Sequence, residues 1–280
     1  GESMNKIDQY THTHLHTSFG SFLDGVGKPI EYMKRAAELG QQAVCVTEHG
    51  SMASAYEFQR AGDEIGIKTI IGNEMYCVED RFRRGLTEAE REGLTATEVR
   101  DANKIRLKSP HLLLLAETDE GLRNLYRLNY YAATEGFYGK PRIDLKLLAK
   151  YSKGLIATTT CVISNMARYF QNKEIDKMTG FFNDLAGIFG PDNLFIEFHP
   201  HDLDIQLEYH QVLIELFRKQ HKGFKCVLAN DVHYVKKEHN DTHSFLWRLN
   251  TDGRIDEAGV STLYMASEDE MRELWHKNGH

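Results

Sequence analysis

The sequence predicts an α/β fold in which parallel βα units curl toward a barrel, and three observations predict it. Short apolar runs alternate with amphipathic helical stretches about seven times. The connections between them are short except in one place. Nearly every apolar run ends in a residue able to bind a metal, as happens when the strand ends of an α/β barrel share one face.

The elements follow in order. Residues 10–16, "YTHTHLH", alternate with period two, which puts His12, His14 and His16 on one face of a first strand. A helix over 28–40 carries Ile30, Met33 and Ala37 and stops on Gly40. Strands are expected at 42–50, 68–78, 111–117, 154–161, 193–201 and 224–234. A helix over 54–66 stops on Gly66, and another opens on a Thr118–Gly121 turn and presents Leu122, Leu125 and Leu128. The stretch 207–223 is amphipathic and stops on Gly223. Residues 79–109 are a charged helical insertion with two capping boxes, Thr87–Glu90 and Thr95–Glu98. Beyond Tyr234 the pattern changes to a helix at 239–250, a short strand at 261–266 and a capping box at Ser267–Glu270. The expected organisation is one domain over 4–280, with 238–280 as a C-terminal extension; Gly1, Glu2 and Ser3 read as a tag remnant.

Composition narrows the function. With 280 residues, 41% of them hydrophobic and 27% charged, the chain can build a core without disulfides. Cys45, Cys77, Cys161 and Cys226 form no CxxC, which points to a reducing, cytoplasmic setting. No 18-residue apolar run marks a membrane span. A net charge of −7 argues against an autonomous nucleic-acid binder and predicts weak, salt-sensitive DNA binding.

The polar residues at the run ends carry the chemistry. They are His14 and His16, Asp24 in the next loop, Glu48 and His49, Glu74, Cys161, His199 and His201, and Asp231 and His233. His12 reads as packing or orienting a neighbour. Each is weak evidence alone, but their coincidence at six or seven strand ends predicts a metal centre. The mix of imidazole, carboxylate and one thiol suits zinc, manganese or iron better than magnesium. On the residues alone His111 is the poorest candidate, because it begins its run. "GFYGKPRID" offers Lys140 and Arg142 to phosphate and Tyr138 to a base. Arg81, Arg83, Arg84, Lys104, Arg106 and Lys108 read as a solvated face.

The motifs "THTHLHTSFGSFLDG", "VTEHGSM", "IIGNEMY", "HLLLLAETDEGLRNL", "EGFYGKPRIDLKLLAKYSKGLIATTTC" and "ANDVHY" resemble, in order and spacing, the polymerase and histidinol phosphatase (PHP) family. The resemblance runs from Tyr10 to Glu268 and is strongest to the branch found at the N-terminus of bacterial replicative polymerases. It implies a distorted seven-stranded βα barrel with two or three divalent ions, zinc first among them, at the strand C-terminal ends. It implies as ligands His14, His16, Asp24, His49, Glu74, His111, Cys161, Asp231 and His233, with Asp24, His49 and Asp231 catalytic and His201 in reserve. The implied activity is 3′–5′ exonucleolytic hydrolysis of single-stranded DNA ends, in partnership with the rest of a polymerase or other replisome proteins. Two other readings stand beside it: a metal-stapled platform without catalysis, and a small-molecule phosphomonoesterase.

Overall fold

The computed structural model describes residues 10–106, 109–220, 223–250 and 260–278. Its strands are β1 (Ala43–Val46), β2 (Lys68–Cys77), β3 (His111–Ala116), β4 (Arg142–Ile143), β5 (Leu155–Thr158), β6 (Leu194–Phe198) and β7 (Lys225–Leu228). They form one sheet in the order β1-β2-β3-β5-β6-β7, with β4 alongside β2.

Local signals place the helices where the spacing predicts. The helix Pro29–Leu39 ends on Gly40 at φ 76°, whose N–H bonds back to Ala36 and Ala37. Ala55–Ile65 ends on Gly66 at φ 82°. Thr118 caps Asp119–Thr134 by accepting from the Gly121 N–H. In the insertion, both capping boxes form, at Thr87–Glu90 and at Thr95–Glu98. The Ser267–Glu270 box opens Glu268–Lys277 in the same way. No helix among the described residues is long and apolar enough to cross a membrane.

Two features depart from the expected parallel array. The first predicted strand is not a regular one. Residues 12–16 run extended between the two outer edges of the sheet. The His12 and Leu15 carbonyls accept from Cys45 and Thr47 of the β1 side, at 3.0 and 2.8 Å. On the other side His16 N–H donates to Val232 (2.8 Å), and Val232 N–H donates to His14 (3.0 Å). This segment therefore joins the β1 edge to the chain just past β7, and the sheet curls around it. The second departure is β3, which is antiparallel to both β2 and β5, whereas β1/β2, β5/β6 and β6/β7 are parallel. The 79–109 insertion leaves from one end of β2 and returns to that same end, so β3 has to start where β2 stops: His111 lies opposite Tyr76.

Period-two alternation then divides inside from outside. Leu112 and Leu114 face the large helix-covered core with Leu125, Leu128, Phe182 and Ile196. Leu113 and Leu115 face the other way and pack with Cys45, Ile70 and Ile156 into a small apolar plug. Positions two residues further along the same face, such as Glu74 after Ile70 and Gly72, lie above that plug.

Candidate metal centre

All nine predicted ligands meet above the plug. Glu74 is their hub. Its Oε1 is 3.2 Å from His14 Nε2 and 2.8 Å from His111 Nδ1. Its Oε2 is 2.6 Å from His49 Nδ1 and 3.7 Å from His16 Nε2. Asp231 Oδ1 is 3.2 Å from both His14 Nε2 and His16 Nε2. Asp24 Oδ2 is 3.1 Å from His49 Nε2 and 3.9 Å from His233 Nε2. Cys161 Sγ lies 3.9 Å from Glu74 Oε1 and from His111 Nδ1. The antiparallel course of β3 explains why His111, the first residue of its strand, reaches a site built from the last residues of others.

The backbone is bent to serve this geometry. Asp231 has φ +51° and Thr160, just before Cys161, has φ +50°. Both are β-carbon residues in the left-handed region, a conformation kept only where surroundings impose it. Asn230 imposes it on one side: its Nδ2 donates to the carbonyls of Thr262 and Tyr264, at 2.7 Å each.

The donor atoms fit divalent cations. His14 Nε2, His16 Nε2, His49 Nδ1, Glu74 Oε2 and Asp231 Oδ1 are buried and crowd one another, at 2.6 Å between His49 and Glu74 and 3.2 Å from Asp231 to each Nε2. Imidazole and carboxylate atoms gathered so closely out of water make the donor set of a divalent cation. Four triads of potential donor atoms each lie within 4.8 Å among the described residues: His14/His16/Asp231, His16/His49/His233 and His49/Glu74/His111 from the expected ligands, and His14/Glu197/His199, which includes two residues outside that set. Divalent metal binding by these clustered groups follows from their chemistry.

Electrostatics agree. Burial disfavours charge throughout, and with His49 and His233 nearby it holds His16 down to about 3. Elsewhere carboxylates outweigh burial. Asp24 and Glu74 lift His49 to about 10, and Asp231, Glu197 and Glu74 lift His14 well above the usual imidazole range. Against the same burial, imidazoles hold Asp24, Glu74 and Asp231 below the usual carboxylate range: His49 acts on Asp24, His111 and His14 on Glu74, His14 and His233 on Asp231. Burial, with Glu74 and Asp231 beside it, pushes the Cys161 thiol up.

These shifts set the pH dependence of the metal-free chain. Below the ordinary imidazole value of 6.5, buried His16 and His201 (about 3) and His243 (about 4) stay neutral, while an unfolded chain would protonate them, so stability falls with falling pH. Above 6.5, His14 and His49 keep protons that an unfolded chain releases, so stability is lost as pH climbs toward about 10. The depressed carboxylates add a stabilisation that disappears only in stronger acid. Thermal melts in chelator should therefore peak near neutrality and decline on both sides. A melting temperature still rising in mildly alkaline buffer would contradict the cluster's charge pattern.

The site floors a cleft of about 980 Å³ lined also by Phe22, Leu23, Phe137, Ile163 and Trp247. Of the predicted phosphate contacts, Lys140 lines it, its Nζ 5.2 Å above the Tyr76 ring. Tyr138 is half exposed on the same loop, but the cleft wall does not include it. Arg142 is a correction. It is buried, and its guanidinium donates to the carbonyls of Gly136, Arg81 and Arg83, so it ties the insertion to the 136–142 loop instead of meeting phosphate. Arg81 pairs with Glu135 and Asp144, Arg83 with Glu90, and Arg84 donates to the carbonyls of Arg81 and Glu135. The side chains of Lys104, Arg106 and Lys108 lie outside the described residues. His12 Nε2 is 2.8 Å from the Ala266 carbonyl, away from the ligands, and His201 Nε2 is 3.1 Å from the Asn230 carbonyl.

Sequence reasoning overlooked Glu197, which contacts His14 from outside the ligand set. The available signal was the alternation of Glu197, His199 and His201 along one strand face.

Comparison with known proteins agrees with the geometry. The family model described as the PHP domain matches residues 12–201, about two thirds of the chain. The chain belongs to the PHP family. This PHP chain is 35% identical over 93% of its length to the DNA polymerase III subunit alpha of Aquifex aeolicus. It is 34% identical to the subunits of the same name from Saccharopolyspora erythraea, over 97%, and Thermus aquaticus, over 95%. It spans about a fifth of the length of those relatives, 21%, 23% and 21% respectively.

Proposed function

We propose that this PHP chain is a metal-dependent phosphodiesterase that removes nucleotides from the 3′ end of single-stranded DNA beside a polymerase, in a proofreading role. One observation carries the reading: buried imidazoles and carboxylates crowd one another directly behind a cleft that His49 and Asp231 line. Two or three divalent ions, zinc in preference to manganese or iron, would be held by His14, His16, Asp24, His49, Glu74, His111, Cys161, Asp231 and His233. Such ions acidify a water toward neutral pH and offset charge on phosphate oxygens.

The chain's own groups divide the remaining work. His14, His16 and Glu74 are sealed from solvent, whereas the side chains of Asp24, Asp231 and His49 are 13%, 17% and 19% exposed. These three face the cleft and are the groups nearest substrate, with Asp24 holding the proton of His49 Nε2 across their 3.1 Å contact. Among the described residues of the wall, Lys140 is the Lys or Arg side chain available to phosphate. The exposed rings of Phe22 and Phe137 offer faces to unpaired bases, which favours a single strand over a duplex. The polymerase relatives favour a partner of that kind, the remainder of an alpha subunit or other replisome proteins, and a cytoplasmic setting.

The test compares hydrolysis of a 3′-labelled single strand with that of a small phosphomonoester, in zinc, manganese and iron. Preference for the monoester by orders of magnitude overturns the reading. Asp24→Asn should keep the fold and lose about 10- to 100-fold in turnover, the loss already seen when only the partners of metal ligands are changed. Unchanged turnover, or no turnover by the parent chain in any of the three metals, favours a platform role. Phe137→Ala should raise KM for the single strand several-fold with kcat kept, since stacking on a ring is worth about 1 kcal/mol or more per base.

A further inference from the structure

Two buried carboxylates stand behind the centre without entering the expected ligand set: Glu197 meets the His14 ring directly, and Glu48 reaches the His16 ring through Ser21, each on the nitrogen that faces away from the metal volume. Glu197 Oε1 lies 2.7 Å from His14 Nδ1 and 2.7 Å from His199 Nε2. Its other oxygen accepts from the Thr158 hydroxyl, and its own N–H donates to Thr159 Oγ1 at 3.0 Å. A carboxylate is acceptor only, so each of these ring nitrogens must bring the proton. Beside His16, Ser21 Oγ donates to Glu48 Oε2 at 2.7 Å, accepts the His49 N–H at 3.2 Å and lies 3.2 Å from His16 Nδ1. A hydroxyl has one proton to give. With it committed to Glu48, which also takes the Thr17 N–H and hydroxyl, Ser21 has only lone pairs for the ring, and His16 Nδ1 must donate.

We infer that Glu197 and the Glu48–Ser21 pair are positioning groups that fix the protons of His14 and His16 on Nδ1 and so turn both Nε2 lone pairs toward the metal volume. Both Nε2 atoms lie 3.2 Å from Asp231 Oδ1, so the two rings aim at one point. Glu197 acts directly and through a carboxylate anchored by Thr158. Ser21 acts as a neutral intermediary, so its share is the smaller. Outer carboxylates of this kind orient ligating imidazoles and raise their basicity. The inference rests on the metal-binding part of the function proposed above and not on its substrate: a chain that binds zinc yet spares DNA would leave it standing.

The test uses the 280-residue chain and zinc alone. Glu197→Gln keeps shape but brings an N–H to the place of an acceptor. Competition against a chelator should show its zinc affinity lowered by about 10- to 100-fold, and that of Ser21→Ala by about tenfold or less. In the zinc-loaded parent chain with 15N-labelled histidine, the His14 and His16 protons should appear on Nδ1 as slowly exchanging signals, with Nε2 bare. Parental zinc affinity in Glu197→Gln, or a proton on His14 Nε2 in the parent, overturns the inference. The parental spectrum decides even if Glu197→Gln does not fold.

Discussion

Glu74→Gln will bind fewer equivalents of metal than the parent and, stripped of metal, will melt at a lower temperature. Glu74 touches four imidazoles, at His14, His16, His49 and His111, and accepts from the Thr160 hydroxyl at 3.2 Å. The amide removes the negative charge that the surrounding imidazoles share, and it turns an N–H toward ring nitrogens. Removing one member of a buried charge cluster costs about 3–5 kcal/mol, because its partners stay buried and uncompensated. In a domain of this general size that is a fall of about 10 °C. Elemental analysis for metal content and a melt in chelator read the two effects separately. Full metal content together with a parental melting temperature would mean that Glu74 is not the hub its distances describe.

Chelation of the parent chain will have the second large effect, and it will depend on pH. Metal that binds only the folded chain stabilises it by about 4 kcal/mol when free metal is about a thousand times the dissociation constant. The same ring nitrogens take protons in its place, since His14 and His49 are held above the ordinary imidazole range. The gap in melting temperature between loaded and chelated protein should therefore be wide in mildly alkaline buffer. It should narrow toward acid, as protons compete for the ligands. A gap independent of pH, or no gap, would separate these imidazoles from the metal.

Much of the molecule is legible from local pattern. Gly40 and Gly66 end their helices because a left-handed cap is a property of a few adjacent residues. The capping boxes of the charged insertion form for the same reason. His14 and His16 share a face because period two is local, while Leu15 between them turns into the core with Tyr32 and Met33. Arg142 shows the boundary. Its loop reads as a cationic phosphate contact, yet its partners include the carbonyls of Arg81 and Arg83, about sixty residues earlier.

By itself, the sequence determined the kinds of ligand present, their alternation along each run and the points at which helices start and stop, since all of these depend on neighbours within a few positions. Only the tertiary structure decided that β3 runs backwards, which is how His111, already implied by the family resemblance, reaches the centre, that Arg142 is sealed away from the cleft, and that Glu197 stands behind His14. Those outcomes depend on burial and on partners as much as 183 residues distant, as between His14 and Glu197, and periodicity along a chain holds no record of which distant groups share a low-dielectric space.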